Sequence, residues 1–476
     1  MQPTKTLLFL LSVFLLLGIL AAIFPEEGIR LGDKLSLRFI SLREALGLTD
    51  EPQATETAFA SALPTSPEAS TVLTPTTYRI DYTDSTRLIY PNDDKSVLYP
   101  LFAALERAQQ ESSLVRILHY GDSQIEEDRM THTIRASLQK VFGGSGVGLL
   151  SAKPLANSLS ISHSWSDNWA RYAAFGDSSK PTHNRFGIMA AYCDYQNDRA
   201  MLSFKRKNTS PAQLGIEKVG VLYGNAKSPA KLTLSTRTGR VGEKPLQKNR
   251  RLSKVEWLLA EPEEALSLQF IGHSPEVYGI LLDGKCGVAV DNLPIRGSSG
   301  IEFTKGDSAL FAESVQLLNA KAVIFQFGGN TVPAIKDQKD LEWYEVQLTK
   351  QFRFLTSLGL QLIVIGPADM STKVKDRYVT YPFLPEVREM MMRTTHRFGG
   401  VYWDMYAAMG GKNSMPKWVK QKLAIEDYTH FTRQGAQKIA EMFVQSFLSD
   451  YRQYQDAKLR SLHSTTKRSN AHKKSL

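Results

Sequence analysis

The sequence predicts an α/β protein, with a parallel sheet between two layers of helices and an antiparallel β-sandwich inserted into it. Three observations carry this expectation. Apolar strand-like runs alternate with amphipathic helical patterns from about 98 to 142, and again after Asp291, as repeated βα units do. From about 155 to 290 the helical period gives way to short β-like runs at regular spacing, separated by turn residues, a pattern that suits a sandwich. At 476 residues, with 42% hydrophobic and 22% charged residues, the chain can bury a full core and form more than one domain.

The chain opens with Lys5 and an apolar run from Leu7 to Phe24, broken only by Ser12 and Gly18. That run is at the short end for a membrane span and long for a signal-peptide core. No small-x-small cleavage site precedes Pro25, so residues 1–25 are expected to anchor the chain, with a cleaved signal sequence as the alternative. Lys5 on the inner side and acids after the run place the bulk of the chain outside the cytoplasm. The expected location is the cell envelope, on the periplasmic side of the inner membrane or free in the periplasm. Nucleic acid is therefore not an expected partner, despite the net charge of +10.

Residues 26–77 hold a short juxtamembrane element around Leu35–Ile40, then a stretch rich in Pro, Ser, Thr and Ala. Such a composition buries little and suits a disordered linker. The globular part begins near Tyr78. Leu98, Leu101, Phe102, Leu105 and Ala108 share one helical face. The apolar run Val115–Tyr120 then ends in Gly121-Asp122-Ser123, and Met130, Ile134, Leu138 and Val141 follow at helical spacing. A serine at a sharp strand-to-helix turn sits at the carboxyl edge of the sheet, where α/β proteins place their ligands. It becomes a nucleophile only if a base reaches it. Asp427-Tyr428-Thr429-His430 offers one, with an acid three residues before the histidine to orient the ring; no other histidine has an acid at that spacing.

The glycine-rich Gly143–Gly148 reads as a turn, since the lysine of a phosphate loop is missing. The insert, 155–290, is expected to contain strands at 219–223, 231–235, 255–259, 266–271 and 277–282. Trp165, Trp169, Tyr172 and Phe175 precede them and serve either as core and rim packing or as platforms for sugar rings. A second Gly-Asp-Ser, at 176–178, has no strand before it and no helix after it, and reads as a loop. After Asp291 the expected elements are helices near Leu310–Val315, Leu341–Leu358 and Glu386–Arg397, strands at 322–327, 361–365 and 401–403, and a closing helix with Ala436, Ile439, Ala440, Phe443, Val444 and Phe447 on one face. Residues 456–476 are expected to be a basic, disordered tail. From Tyr451 onward seven Lys/Arg face one acid, Asp456, which suits a solvated tail or a contact with an anionic polymer or lipid surface. Cys193 and Cys286 either pair, as an oxidising compartment allows, or remain free thiols. No His/Cys/Asp/Glu cluster has metal-ligand spacing, and neither a metal nor a cofactor is expected.

Four blocks in this order resemble the SGNH (GDSL-type) hydrolases: Gly121-Asp122-Ser123; the glycine after a strand in Ile295-Arg296-Gly297-Ser298; Gly328-Gly329-Asn330; and Asp427-x-x-His430. Gln124 departs from the leucine of the best-known members, and Thr331 stands where an acid often follows the asparagine. The resemblance implies a three-layer, flavodoxin-like α/β/α domain formed by 78–154 and 291–455. It implies a Ser123–His430–Asp427 triad, with an oxyanion hole made by the backbone N–H groups of Ser123 and Gly297 and the side-chain amide of Asn330. The run His119–Gln124, Asp128-Arg129 and Leu138–Gly144 is further similar to the periplasmic peptidoglycan O-acetylesterases, which carry a carbohydrate-binding-like β-sandwich within the hydrolase domain. That likeness implies an esterase removing O-acetyl groups from a cell-wall or exported polysaccharide. The same residues would serve an O-acetyltransferase with a sugar hydroxyl as acceptor; a non-catalytic envelope protein that binds glycans is the third possibility.

Overall fold

The computed structural model describes residues 29–30, 36–37, 86–176, 183–207 and 215–473, with side chains between 86 and 461. Ile29–Arg30 pairs antiparallel with Ser36–Leu37. The apolar run 7–24, most of the linker and the second Gly-Asp-Ser beyond Gly176 lie outside the described residues. Among those described, no helix is long and apolar enough to cross a membrane.

One sheet contains Leu88–Ile89 (β1), Leu114–Gly121 (β2), Gly287–Pro294 (β3), Ala320–Gln326 (β4), Gln361–Ile365 (β5) and Val401–Trp403 (β6), in the spatial order β3-β2-β4-β5-β6-β1. All neighbours are parallel except β1, which pairs antiparallel with β6 at the edge. The parallel strands thus follow the doubly wound, flavodoxin-like order, with the topological switch between β2 and β4.

Residues alternate along each strand between two cores, because successive side chains leave a strand on opposite faces. Val115, Ile117, Val288, Val290, Ala322, Ile324, Ile363 and Ile365 face one core with helices Tyr99–Gln110 (α1), Thr131–Phe142 (α2) and Arg433–Lys473. Tyr120, Leu293, Val323, Phe325, Leu362 and Val364 face the other, with Ser308–Leu317 (α3), Gln338–Ser357 (α4) and Leu384–Arg397 (α5). The expected core faces of α1 and of the closing helix are buried as read. In α2, Val141 is instead exposed and Phe142 is buried. Phe142 continues the four-residue row of Ile134 and Leu138, and Val141 lies one position round the helix from it.

Between α2 and β3 the chain forms two antiparallel sheets that share one apolar core, to which both contribute. One orders strands 253–263, 216–224, 276–283, 191–195 and 169–173; the other orders 239–246, 230–236, 265–271, 199–206 and 161–165. Strand Glu276–Asp283 is buried along its whole length, with Val277, Ile280 and Leu282 in the shared core and Tyr278 and Leu281 against the α/β domain.

The insert's boundaries differ from those expected. Gly146–Leu150 already pairs with 276–283, and β3 starts at Gly287, before 291. The glycine-rich turn explains the early entry. A Cβ at Gly144 would lie 2.5 Å from the Val288 carbonyl oxygen and one at Gly146 would lie 2.2 Å from that of Leu282, both at positive φ. A buried ion cluster ties the insert to the sheet. Arg116 of β2 donates to Asp283 at 2.6 Å and to Asp291 at 2.5 Å, and Asp291 also accepts the Leu149 N–H at 2.9 Å.

The closing helix (α6, Arg433–Lys473) runs past 455 into the span expected as a basic tail. Tyr451 and Tyr454 pack on Phe102, and Lys458 reaches Glu106 at 2.6 Å, so tertiary contacts with α1 hold the helix beyond that point. Cys193 and Cys286 are both free, the first buried in the insert's core and the second in the turn before β3.

Candidate active site

The carboxyl ends of the parallel strands are in register: Pro294, Gly121, Gln326, Ile365 and Trp403 lie side by side. Ser123, Gly297 and Asn330 follow three of these ends by two to four residues, so the sheet itself brings the sequence blocks together. Gly121 is required by this closeness: a Cβ there would sit 3.0 Å from the Gln326 carbonyl oxygen. Asp122 then accepts the Gln124 N–H at 2.9 Å, an Asx turn that swings Ser123 off the strand end. The chain runs through a kinked 3₁₀ turn, Ser123–Asp128, before α2 begins at Thr131.

The histidine arrives on the loop that leads into α6. A bridge between Ala424 and Phe431 closes this loop, and the Ile425 N–H donates to the His430 carbonyl at 2.9 Å. Asp427 sits at its tip. Its Oδ1 accepts the N–H groups of Thr429 and His430, each at 2.9 Å, and its Oδ2 lies 2.6 Å from His430 Nδ1. Burial would raise the Asp427 carboxyl, but the backbone N–H and ring of His430, with the Thr429 N–H, outweigh it and hold it below the usual range. With Nδ1–H given to this carboxylate, Nε2 is the acceptor for the Ser123 hydroxyl, 2.8 Å away. The geometry is that of a serine whose proton has somewhere to go and an imidazole held in the tautomer that can take it.

Two side chains whose roles the sequence does not reveal hold the serine turn to the histidine loop. Gln124 donates from Nε2 to the Thr429 carbonyl at 2.6 Å, and its Oε1 accepts the Phe431 N–H at 3.3 Å. Arg129 donates to the Ser123 carbonyl at 2.6 Å and to the Phe431 carbonyl at 3.3 Å. The Gln124 bonds flank His430, and the Arg129 bonds join the Ser123 turn to Phe431. The sequence signals for them are a polar residue at 124, where the best-known SGNH hydrolases have leucine, and the place of Gln124 and Arg129 in the run that resembles the peptidoglycan O-acetylesterases; neither signal gives the bracketing role.

A cleft of about 260 Å³ opens over Ser123 and His430, and Asn330, Met370 and Tyr381 also line it. Asn330 donates to Asp122 Oδ2 at 3.1 Å and to the Ser298 carbonyl at 3.0 Å, so both amide hydrogens point to partners at the cleft's edge. Burial pushes the Asp122 carboxyl up to about 6, against the Gln124 N–H and the charges of His430 and Arg129. Gly297, at φ +76°, does not line this cleft. It lies one residue before the Ser298 carbonyl that holds Asn330, on a loop tied to the nucleophile strand by the Ile295 N–H to Gly121 carbonyl bond of 2.7 Å. Ser123, Asp427, His430 and Asn330 therefore meet at one place, and Gly297 stands beside it.

The four early aromatics separate into different surroundings. Trp169 is buried in the insert's core, and Tyr172 stacks on Tyr192 with ring centroids 4.9 Å apart. Trp165 meets the His163 ring edge-on. Phe175 is exposed and faces Gly297: a Cβ on that glycine would lie 3.6 Å from the phenyl ring.

The sequence matches no family model and no curated protein sequence. Among solved structures, a peptidoglycan O-acetylesterase is similar at 19% identity with a TM-score of 0.64, over 77% of this chain and 99% of that one. An acetylxylan esterase from Geobacillus stearothermophilus aligns over 35% of this chain and 73% of its own, at 19% identity and a TM-score of 0.27. The first likeness, taken with the strand order and the crossing of the chain at β2 and β4, shows that the chain shares the doubly wound α/β fold of that esterase.

Proposed function

We propose that the protein is a serine esterase that removes O-acetyl groups from a cell-wall or exported polysaccharide. The observation that carries the proposal is the continuous hydrogen-bond chain from Ser123 through His430 to Asp427 at the sheet's switch point. In the proposed reaction the Ser123 oxygen attacks the acetyl carbonyl while His430 Nε2 takes the hydroxyl proton. His430 returns that proton to the sugar oxygen as the ester C–O bond breaks. Water then attacks the acetyl-enzyme with the same histidine as base, which releases acetate and restores the serine. Asp427 stabilises the imidazolium in both halves. The Ser123 and Gly297 N–H groups and the Asn330 amide are the proposed oxyanion donors, Asn330 by turning one hydrogen from its resting partner.

The size of the cleft supports a short acyl group. At about 260 Å³ it is smaller than most ligand pockets, which suits an acetyl group better than a long acyl chain. The neighbouring structure is named a peptidoglycan O-acetylesterase, which makes peptidoglycan the first polymer to try. In this proposal the inserted sheets serve as a glycan-binding module, and the apolar run after Lys5 holds the chain at the outer side of the cytoplasmic membrane. The test is acetate release by a soluble form of the chain from a panel of O-acetylated glycans, with and without an acceptor sugar. Release into water that Ser123→Ala abolishes is the expected result. Acetyl transfer to the acceptor in preference to water would make the protein a transferase. Activity surviving in Ser123→Ala would remove the serine from the mechanism.

A further inference from the structure

A second, larger groove of about 590 Å³ lies between the insert and the loop after β3. Lys153, Arg171 and Arg296 line it, and among the described residues no acid does. Phe175 and Ile295 also line it, and Phe175 faces Gly297, one of the proposed oxyanion donors. We propose that this groove binds a carboxylate carried by the glycan substrate, with Arg171 as its anchor; the inference rests on the esterase assignment for the identity of the polymer.

The three cations differ in their partners. Arg296 already donates to Glu126 at 2.6 Å. Lys153 donates to the Trp169 carbonyl at 2.7 Å, which positions its ammonium but leaves its charge unbalanced. Arg171 has no hydrogen-bond or ion-pair partner among the described residues, and its Nε is buried without one. Glu126, Glu127 and Asp128 line an adjoining pocket with Arg171; of these, Glu126 is engaged by Arg296 and Asp128 by Arg135 at 2.7 Å. Burial lowers the Arg171 pKa, with Cys193 as the opposing influence. The Arg171 Nε–H is shut from water with nothing to receive it, which is costly, while the rest of the side chain is partly exposed and open to a ligand. A bound carboxylate resolves this cost, since its two oxygens match the guanidinium fork. The exposed Phe175 ring beside the groove offers a face on which a sugar ring can lie between the acid's position and the ester site.

The carboxylate can belong to a uronate ring or to a peptide attached to the glycan, and the experiment separates these sources. Binding is measured by calorimetry on the Ser123→Ala protein with a non-acetylated uronate trisaccharide, with a disaccharide-peptide fragment of peptidoglycan, and with the methyl ester of each. The Ser123→Ala background makes the result independent of whether the esterase assignment holds. At least one acid should bind roughly 10–100-fold more tightly than its ester, the scale of a charge-assisted hydrogen-bond pair, and Arg171→Gln should erase that preference. Arg171→Lys keeps the charge but not the fork and should retain only part of it, which guards against a glutamine variant that fails to fold. The proposal is overturned if neither acid binds better than its ester, or if the preference survives in a folded Arg171→Gln protein.

Discussion

Replacing Gln124 by leucine tests whether the histidine loop depends on the bracket seen here. Gln124 is almost fully buried, and its amide makes two bonds to the loop, to the Thr429 carbonyl and from the Phe431 N–H. Leucine fills a similar volume and makes neither. Losing the first bond costs about 1 kcal/mol net, and leaving the buried Phe431 N–H without an acceptor costs about 1–3 kcal/mol. About 2–4 kcal/mol of restraint on the loop is therefore removed while Ser123, His430 and Asp427 stay in place chemically. A misplacement of 1 Å between reacting groups costs on the order of 10²-fold in rate. Arg129 still holds the Ser123 and Phe431 carbonyls, so the expected fall in kcat is about 10–100-fold with little change in KM. The assay is steady-state hydrolysis of a small aryl acetate, with near-ultraviolet circular dichroism to verify the fold. A folded Gln124→Leu protein with the parent's kcat would show that the bracket does not position the base.

Two further predictions concern stability. Asp283→Ala leaves Arg116 with one of its two buried carboxylates; urea unfolding should show a loss of about 3–5 kcal/mol, whereas Lys458→Ala at the exposed Glu106 contact should cost under about 1 kcal/mol. Asp122 ionises at about 6 in the folded chain against an ordinary value of 3.8. Its raised pKa favours the folded state below pH 3.8, and that contribution is lost as pH rises through 6, at about 1.4 kcal/mol per unit, or about 3 kcal/mol in all. Asp122→Asn should remove this component, so the stability difference between variant and parent should grow in the variant's favour from pH 4 to pH 7; a constant difference would refute it.

Six strands of the insert, counting Gly146–Leu150, and a hairpin at 371–380 have no clear signature in the sequence. Strand 239–246 is mostly exposed and its residues, Gly239-Arg240-Val241-Gly242-Glu243-Lys244-Pro245-Leu246, alternate poorly because it is an edge strand with one face in water. The hairpin is equally polar, and its value is tertiary: Tyr378 stacks on Tyr428, two residues before His430, with ring centroids 3.5 Å apart.

The sequence alone determined what depends on local period and local chemistry. Strands buried on both faces are continuous apolar runs, helices carry a 3.6-residue stripe, and Gly121-Asp122-Ser123 and Asp427-x-x-His430 mark a strand-end turn and a self-capped histidine loop because each needs only neighbouring residues. What required the tertiary structure are the relations between residues far apart in the chain: the register that sets Gly121 beside both Pro294 and Gln326, the early entry of Gly146 into the insert's sheet, the Arg116 cluster, the Gln124 and Arg129 brackets, and the unpartnered Arg171. The physical reason is that a buried polar group is defined by its partner or by the lack of one. A glutamine, an arginine or an aspartate looks the same in sequence whether it is solvated, bracketing a catalytic loop or held in a groove without a counter-charge.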